Sequence, residues 1–387
     1  MIRRRDSDPR WVEFGAEEGT RTPTGVTPLD PESSASTNSA TSASSLDRLK
    51  IILYYFIFCH KKSRLESIVE IIKGIENLKR SFKNAVVTLG NFDGVHLGHQ
   101  DIFNRVKEGA SKINGEGVVI TFEPHPLKAL APEKFLPLLT PFRKKMMLIE
   151  RSGIETVLCI EFSLEFSQIS PSEFIRSILV ERVKVKEVII GYNYHFGKAQ
   201  KGDAQTLKDA GKVFGFEVEV VEPFRIGQTV VSSSKIRDLI QRGEVERASR
   251  LLGRDYPIVG KVVEGAKRGQ TLGFPTANLE TSDDLYPKPG VYAVEVEWRQ
   301  EHLNGVVSVG TNPTFFSEQE EKGRPISLEV HILSFNRNIY GEEIQVNFKR
   351  RIRDEGRFET SSLLIEQIKK DIQWAQENVF RGLKPSY

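Results

Sequence analysis

Residues 86–100 read VVTLGNFDGVHLGHQ, and this stretch decides the fold. A β-branched apolar run stops at Gly90. A tight turn follows, Gly90-Asn91-Phe92-Asp93-Gly94, and His96 and His99 open an amphipathic segment through Ile102, Phe103 and Val106. The order predicts a buried strand, a glycine-bearing loop and a helix N-terminus. The free N–H groups and positive dipole end of a helix start favour phosphate, and two imidazoles placed there can donate to the same anion. Gly90, Gly94 and Gly98 suit a backbone that approaches a ligand closely. This is phosphate chemistry without a P-loop: the Gly-Lys pairs at Gly197, Gly211 and Gly260 are followed by Ala or Val, and no GxGxxG occurs. Two other readings stay open. A histidine at a helix start is often only a cap, and Asp93, His96 and His99 are spaced as metal ligands on one helix face.

Working outward, β-rich runs at Val86–Leu89, Val118–Phe122, Val157–Ile160, Val188–Ile190 and Val218–Val221 alternate with helical patterns. Such alternation predicts a parallel sheet with helices on both faces, whose ligands sit beyond the carboxyl ends of the strands. GNFDG, Glu123-Pro124-His125-Pro126 and Gly191-Tyr192-Asn193-Tyr194-His195-Phe196-Gly197 all fall at such ends. Lys235 to Leu252 reads as two short helices with Gly243 and Gly253 as C-caps. Beyond Tyr256 the pattern changes to short runs divided by Gly, Pro and Asn turns, at Ile258–Val263, Val291–Val296, Gly305–Val309, Leu328–Leu333 and Ile344–Phe348. That pattern predicts an antiparallel barrel, closed by an amphipathic helix around Leu363 to Ile372.

Three segments are expected: an extension at 1–68, then domains at 69–253 and 254–387. Ser33 to Ser45 holds only Ser, Thr, Ala and Asn, too little apolar surface to offset ordering entropy. The apolar patch Ile51–Phe58 is shorter than the ~20 residues of a membrane span. The extension therefore reads as disordered or mis-called, with a native start near Val69. No Met lies between Met1 and Met146, so that start would need a non-ATG codon. The 387 residues carry a net charge of +3, too small to argue for nucleic acid or an anionic membrane. Two distant cysteines, Cys59 and Cys159, match no CxxC pattern and suit a reducing cytoplasm.

GNFDGVHLGH resembles the HxGH signature of nucleotidyltransferases, in the form found in bacterial bifunctional riboflavin kinase/FAD synthetases. The resemblance runs in order from about Val69 to Gln373 and includes two independent motif sets. It implies a Rossmann-like α/β nucleotidyltransferase domain, then an antiparallel β-barrel riboflavin kinase domain with a C-terminal helix. The implied activity is phosphorylation of riboflavin to FMN by ATP, then adenylylation of FMN to FAD with release of pyrophosphate. Mg²⁺ and ATP would be needed, with no permanently bound cofactor. Riboflavin, FMN, FAD and ATP would be the partners, with no nucleic acid, no membrane span and a homo-oligomer left open. A flavin- or nucleotide-binding regulator with one inactive domain is the alternative.

The resemblance also implies roles for residues. His96 and His99 would contact the ATP phosphates as neutral donors, since a helix N-terminus disfavours a charged imidazole, with Gly90, Asn91, Phe92, Asp93 and Gly98 forming the loop. Ser232-Ser233-Ser234-Lys235-Ile236-Arg237 resembles the family's SSTxIR motif, whose Ser and Arg contact phosphate, although alone it reads as an ordinary capped helix. Asn193 would recognise nucleotide, while Tyr192, Tyr194 and Phe196 also read as one buried strand face. His195 stands where Arg is common. Glu123 and His125 would lie near the flavin phosphate. In the second half, Gly269 to Asn278, GQTLGFPTAN, resembles the riboflavin kinase loop. There Gly273 would cover the nucleotide, and Thr276 and Asn278 would hold Mg²⁺ and ATP phosphate, with Lys267 and Arg268 as added phosphate contacts. Glu329, a carboxylate in an apolar alternating strand, is the implied base for the riboflavin 5′-hydroxyl, its alternative being a salt bridge to a neighbouring strand. Arg353 and Phe358 would wall the flavin, and Gly305 to Phe315 would give structural support.

Overall fold

The computed structural model describes residues 69–381, apart from 135, 266–268, 270–271 and 311–325. The 1–68 extension, Lys267, Arg268, Gln270, Thr271 and the stretch from Thr311 to Phe315 therefore lie outside the described residues.

The first half is a six-stranded sheet of β1 (Glu70–Lys73), β2 (Ala85–Leu89), β3 (Gly117–Glu123), β4 (Thr156–Glu161), β5 (Val185–Gly191) and β6 (Glu217–Val221). Its order is β1-β4-β3-β2-β5-β6 with every neighbouring pair parallel. Strand β2, AVVTL, is buried at every position, as a central strand covered on both faces must be. Helices α1 (Leu97–Lys112), α2 (Pro126–Leu130), α3 (Phe142–Arg151), α4 (Phe174–Arg182) and α5 (Ala204–Phe214) fill the crossovers. The strand order reverses at β2, which has β3 on one side and β5 on the other. A crevice must therefore open beyond the ends of β2 and β5, where the GNFDG and GYNYHFG loops begin. The edge strand β1 was not foreseen; only one of its four residues is buried, so it carries little hydrophobic signal.

After a small hairpin, β7 (Arg225–Ile226) and β8 (Thr229–Val230), come α6 (Ser233–Gln241) and α7 (Val245–Leu252). Gly243 and Gly253 adopt φ of +79° and +74°, the left-handed conformation that ends a helix most cheaply in glycine. The barrel follows: β9 (Tyr256–Val263), β10 (Ala277–Glu280), β11 (Gly290–Trp298), β12 (Glu301–Gly310), β13 (Ser327–Ile332) and β14 (Glu343–Arg353). It closes in the order β10-β13-β12-β11-β14-β9, entirely antiparallel. Ile236, Leu239, Ile240, Val245, Leu251 and Leu252 from α6 and α7 share one apolar core with Tyr256, Ile258, Tyr292 and Phe348 of the barrel. These two helices thus pack on the barrel and share its core. The last helix, α8 (Ser361–Asn378), is capped by Thr360, whose hydroxyl accepts from the Leu363 N–H at 3.3 Å. It packs Ala375 on the outer barrel face at Val291, Ala293 and Val306.

Candidate active site

The crevice at the β2/β5 switch point is a cleft of about 920 Å³. Gly90, Asn91, Phe92, His96, Gly98 and His99 line one wall, Asn193 and its neighbours another, and Ser232, Ser233 and Ser234 a third. Segments more than a hundred residues apart thus meet as the resemblance implies.

His96 is the N-cap of α1. Its Nδ1 accepts from the His99 N–H at 3.3 Å, so in the neutral ring the proton resides on Nε2. The two rings stack at 3.5 Å, and Phe92 meets His99 edge-on at 5.2 Å. Gly98 lets the His96 ring approach; a Cβ there would sit 3.3 Å from it. Burial pushes His96 down to about 4 and His99 well below its ordinary value, with the Arg254 charge a smaller cause for both. The rings are neutral, as expected, but burial dominates rather than the helix end. Charging them costs folding energy, so stability should fall as pH drops from about 6.5 toward 4. Among the described residues Asp93, His96 and His99 do not converge as a metal site.

Asp93 and Arg237 lie behind the cleft wall. The buried Asp93 carboxylate accepts from Leu139 N–H at 3.1 Å, Thr140 N–H at 3.0 Å and Arg237 Nη2 at 2.9 Å. Arg237 Nε donates to the Pro137 carbonyl at 2.8 Å. Together they brace the loop from behind, and neither is among the residues that line the cleft. Ser232 caps α6 by accepting from Lys235 N–H, and Ser233 donates to the Asp93 carbonyl at 2.8 Å. Asp203 is a helix cap as well, in a reciprocal box with Thr206. Glu123 and His125 stand outside the cleft walls. His125 caps α2, whose Pro126 and Leu130 do line the cleft, and burial lowers its pKa to about 4. The aromatics beyond β5 do not form one strand face: Tyr194 and Phe196 pack inward, whereas Tyr192 is 48% exposed.

One residue the sequence reading passed over is Lys145 on α3. Its ammonium, 5% exposed as a residue, lies 3.3–3.4 Å from the Asn91 carbonyl, the Thr121 hydroxyl and the Phe122 carbonyl. It ties the GNFDG loop to the end of β3, and burial lowers its pKa. A single lysine in an amphipathic helix gives no sequence signal of this.

In the barrel, Asn278 lies opposite Glu329, which lies opposite Ser308. Directly opposed residues share a face of the sheet. Leu328, Val330 and Ile332 enter the barrel core, so alternation turns Glu329, half-buried, to the other face with Asn278. Thr276 immediately precedes β10. Glycine is needed where the loop packs on these side chains: a Cβ at Gly265 would fall 2.1 Å from the Asn278 amide nitrogen, and one at Gly269 2.4 Å from the Phe274 carbonyl and 3.0 Å from the Thr276 hydroxyl. His331 Nδ1–H donates to the Pro275 carbonyl at 2.8 Å and its ring meets Phe274 edge-on, anchoring the GFPT loop to β13.

Arg353 does not present a free guanidinium to a ligand. Its Nε and Nη2 grip the buried Asp371 of α8 at 2.8–3.0 Å, and the group lies 5.6 Å from the Phe358 ring centroid. Arg353 makes a strand-to-helix tie with Phe358 packed beside it. Asp371→Ala, which leaves this guanidinium unpaired and partly buried, should cost about 2–3 kcal/mol in urea unfolding; an unchanged midpoint would assign the tie no weight.

A Rossmann-like crevice with paired imidazoles at its switch point, joined to a closed antiparallel barrel, defines a two-domain ATP-dependent transferase. Residues 78–235 match the family described as FAD synthetase and 252–379 the one described as riboflavin kinase. The chain is 36% identical over 321 residues to the bifunctional riboflavin kinase/FMN adenylyltransferase of Escherichia coli K12, covering 82% of this chain and 100% of that one. It is 39% identical over 293 residues to the enzyme of the same description from Listeria monocytogenes, covering 75% and 91%. A crystal structure described as a macrolide-efflux protein from Streptococcus pneumoniae superposes with a TM-score of 0.71 at 34% identity, over 80% of this chain and 99% of that one. Among the described residues no helix is long and apolar enough to cross a membrane. The chain belongs to the family of bifunctional riboflavin kinase/FMN adenylyltransferases. It is an enzyme that phosphorylates riboflavin with ATP to FMN and adenylylates FMN with ATP to FAD.

Proposed function

We propose that the two reactions divide between two sites, adenylylation within 69–253 and phosphorylation within 254–387, in the cytoplasm. The observation that carries this is the separate assembly of two constellations: His96, His99, Asn193 and Ser232–Ser234 around the sheet crevice, and Thr276, Asn278 and Glu329 on the barrel.

In the kinase site Glu329 takes the proton of the riboflavin 5′-hydroxyl as that oxygen attacks the γ-phosphorus and ADP leaves. A loose phosphoryl transition state asks mainly for position and charge stabilisation. The Thr276 hydroxyl and the Asn278 amide oxygen are hard oxygen donors two residues apart, a donor chemistry that fits Mg²⁺. When bound, the ion supplies neutralisation of phosphate charge. In the crevice an FMN phosphate oxygen attacks the α-phosphorus of ATP and pyrophosphate leaves. There His96 Nε2–H and the His99 ring act as neutral donors to phosphate oxygens, Ser232–Ser234 add hydroxyls, and Asn193 binds nucleotide.

The test follows flavins by chromatography over time with riboflavin, ATP and Mg²⁺. FMN should rise and then give way to FAD. With EDTA in excess, conversion of riboflavin should stop, and readdition of Mg²⁺ should restore it; FMN formation that continues in EDTA would remove the metal role from Thr276 and Asn278.

A further inference from the structure

We propose that Arg254 is a positioning residue for adenylyl transfer, holding the loop that aims His96 and His99 through a grip on two consecutive carbonyls. Its Nη2 donates to the Gly94 carbonyl at 2.6 Å, and its Nη1 to the Val95 carbonyl at 3.1 Å and the Leu252 carbonyl at 3.4 Å. Gln100 Nε2, from the first turn of α1, converges on the same pair, Val95 at 2.9 Å and Leu252 at 3.1 Å. Two donors thus hold one carbonyl, and that carbonyl belongs to the residue just before His96.

Val95 needs such holding. Its φ is +40°, a left-handed conformation in which a β-branched residue is a genuine outlier. Strain of this kind persists only where the surroundings over-determine it, and it collects at functional sites. Val95 is also fully buried in the sheet-side core. The junction is tight: a Cβ at Gly253 would lie 2.6 Å from Leu97 Cδ2. Among the described residues no carboxylate pairs with Arg254, and its buried Nε has no hydrogen-bond partner. A desolvated guanidinium without a counter-ion is costly merely as glue. Here it directs its fork at the imidazole loop, and burial lowers its pKa to about 10. Arg254 also lies between α7 and β9, so the segment that starts the barrel fixes the neighbouring active site.

The charge has a readable consequence. Arg254 acts on both imidazoles, and His96 and Lys145 act in addition on His99, each disfavouring protonation. Removing Arg254 should therefore make the imidazoles easier to protonate.

The inference rests on the assignment of His96 and His99 to the ATP phosphates, so His99→Ala is measured alongside. Arg254→Met and Arg254→Lys are assayed in the full chain for both activities across pH. In Arg254→Met the kcat for FMN adenylylation should fall about 100-fold, the scale of a misplaced catalytic group, with riboflavin phosphorylation unchanged and the acid limb moved to higher pH. Arg254→Lys keeps the charge but cannot fork onto two carbonyls. It should lose about 10-fold in kcat by the same misplacement argument, with the acid limb in place. Adenylylation at wild-type rate in Arg254→Lys overturns the grip, as does a parallel fall of both activities with an unmoved acid limb. If Arg254→Met does not fold, the lysine variant alone decides. Full adenylylation by His99→Ala would instead refute the imidazole assignment, whatever the Arg254 variants do.

Discussion

Replacing Glu329 by Gln should abolish conversion of riboflavin to FMN while FMN supplied from outside is still turned into FAD. The substitution is nearly isosteric and neutralises the carboxylate, which removes its ability to accept a proton. Glu329 is fixed by its strand: Leu328 and Val330 on either side enter the barrel core, and the register places Asn278 and Ser308 directly across from it. The side chain therefore cannot drift from the face that carries Asn278, and urea unfolding of the variant separates any structural cost from the catalytic one. General-base catalysis typically contributes 10²–10⁴-fold, so phosphorylation should drop by about that factor, read as kcat with saturating ATP and Mg²⁺. KM for riboflavin should change little, because the group acts on the reacting hydroxyl. Glu329→Asp should recover only part of the rate, since shortening the side chain withdraws the base from the hydroxyl. A Gln variant within a few-fold of wild type would make the carboxylate a strand partner rather than a base. Loss of both activities would refute the division into two sites.

How much of this was legible beforehand follows from range. The strands β2 to β6 and five of the six barrel strands are announced by short β-branched runs between glycine and proline turns, because propensity and burial are local properties. Edge strand β1 and the short β10 carry little of either. The cleft-lining histidines were legible because their spacing on a loop and a helix start suits anion chemistry, whereas the serines, which alone read as an ordinary helix cap, were singled out only through the resemblance. Asp93 and Arg237 were not legible in their observed roles. An arginine suits a phosphate site, whereas an aspartate in the loop does not donate to an anion, and what both do is set by partners at Pro137, Leu139 and Thr140, far away in the chain. The Arg353 tie was hidden in the same way, since its partner Asp371 sits on a helix that meets the strand only in the folded chain. Lys145 and Arg254 are two among 55 basic residues, distinguished only by burial. The neutral state of the histidines was read correctly but assigned to the helix end, because burial of a loop residue has no sequence signature.

His99→Ala should lower FMN adenylylation by about 10²–10³-fold, the usual cost of removing one preorganised donor to developing charge, and leave riboflavin phosphorylation intact. The ring lines the cleft, is held between His96 and Phe92, and its buried Nδ1 has no hydrogen-bond partner among the described residues. A buried polar atom left unpaired costs free energy, and the cost is recovered when a ligand oxygen or water completes it. Such a group is worth more against the transition state than in the free enzyme, so the loss should appear mainly in kcat. The same burial fixes the pH dependence. His96 is pushed down to about 4 and His99 also lies well below its ordinary value. Lowering pH from 7 to about 5 therefore leaves the His96 ring largely neutral, so once the titration of the FMN phosphate itself near about 6 is allowed for, the enzyme's contribution to wild-type adenylylation should stay level over that range and decline only as pH approaches 4. An ordinary exposed histidine would instead give a limb near 6.5. A limb at that value in kcat/KM, absent from His99→Ala, would mean that the charged imidazolium is the working form and that the burial argument fails.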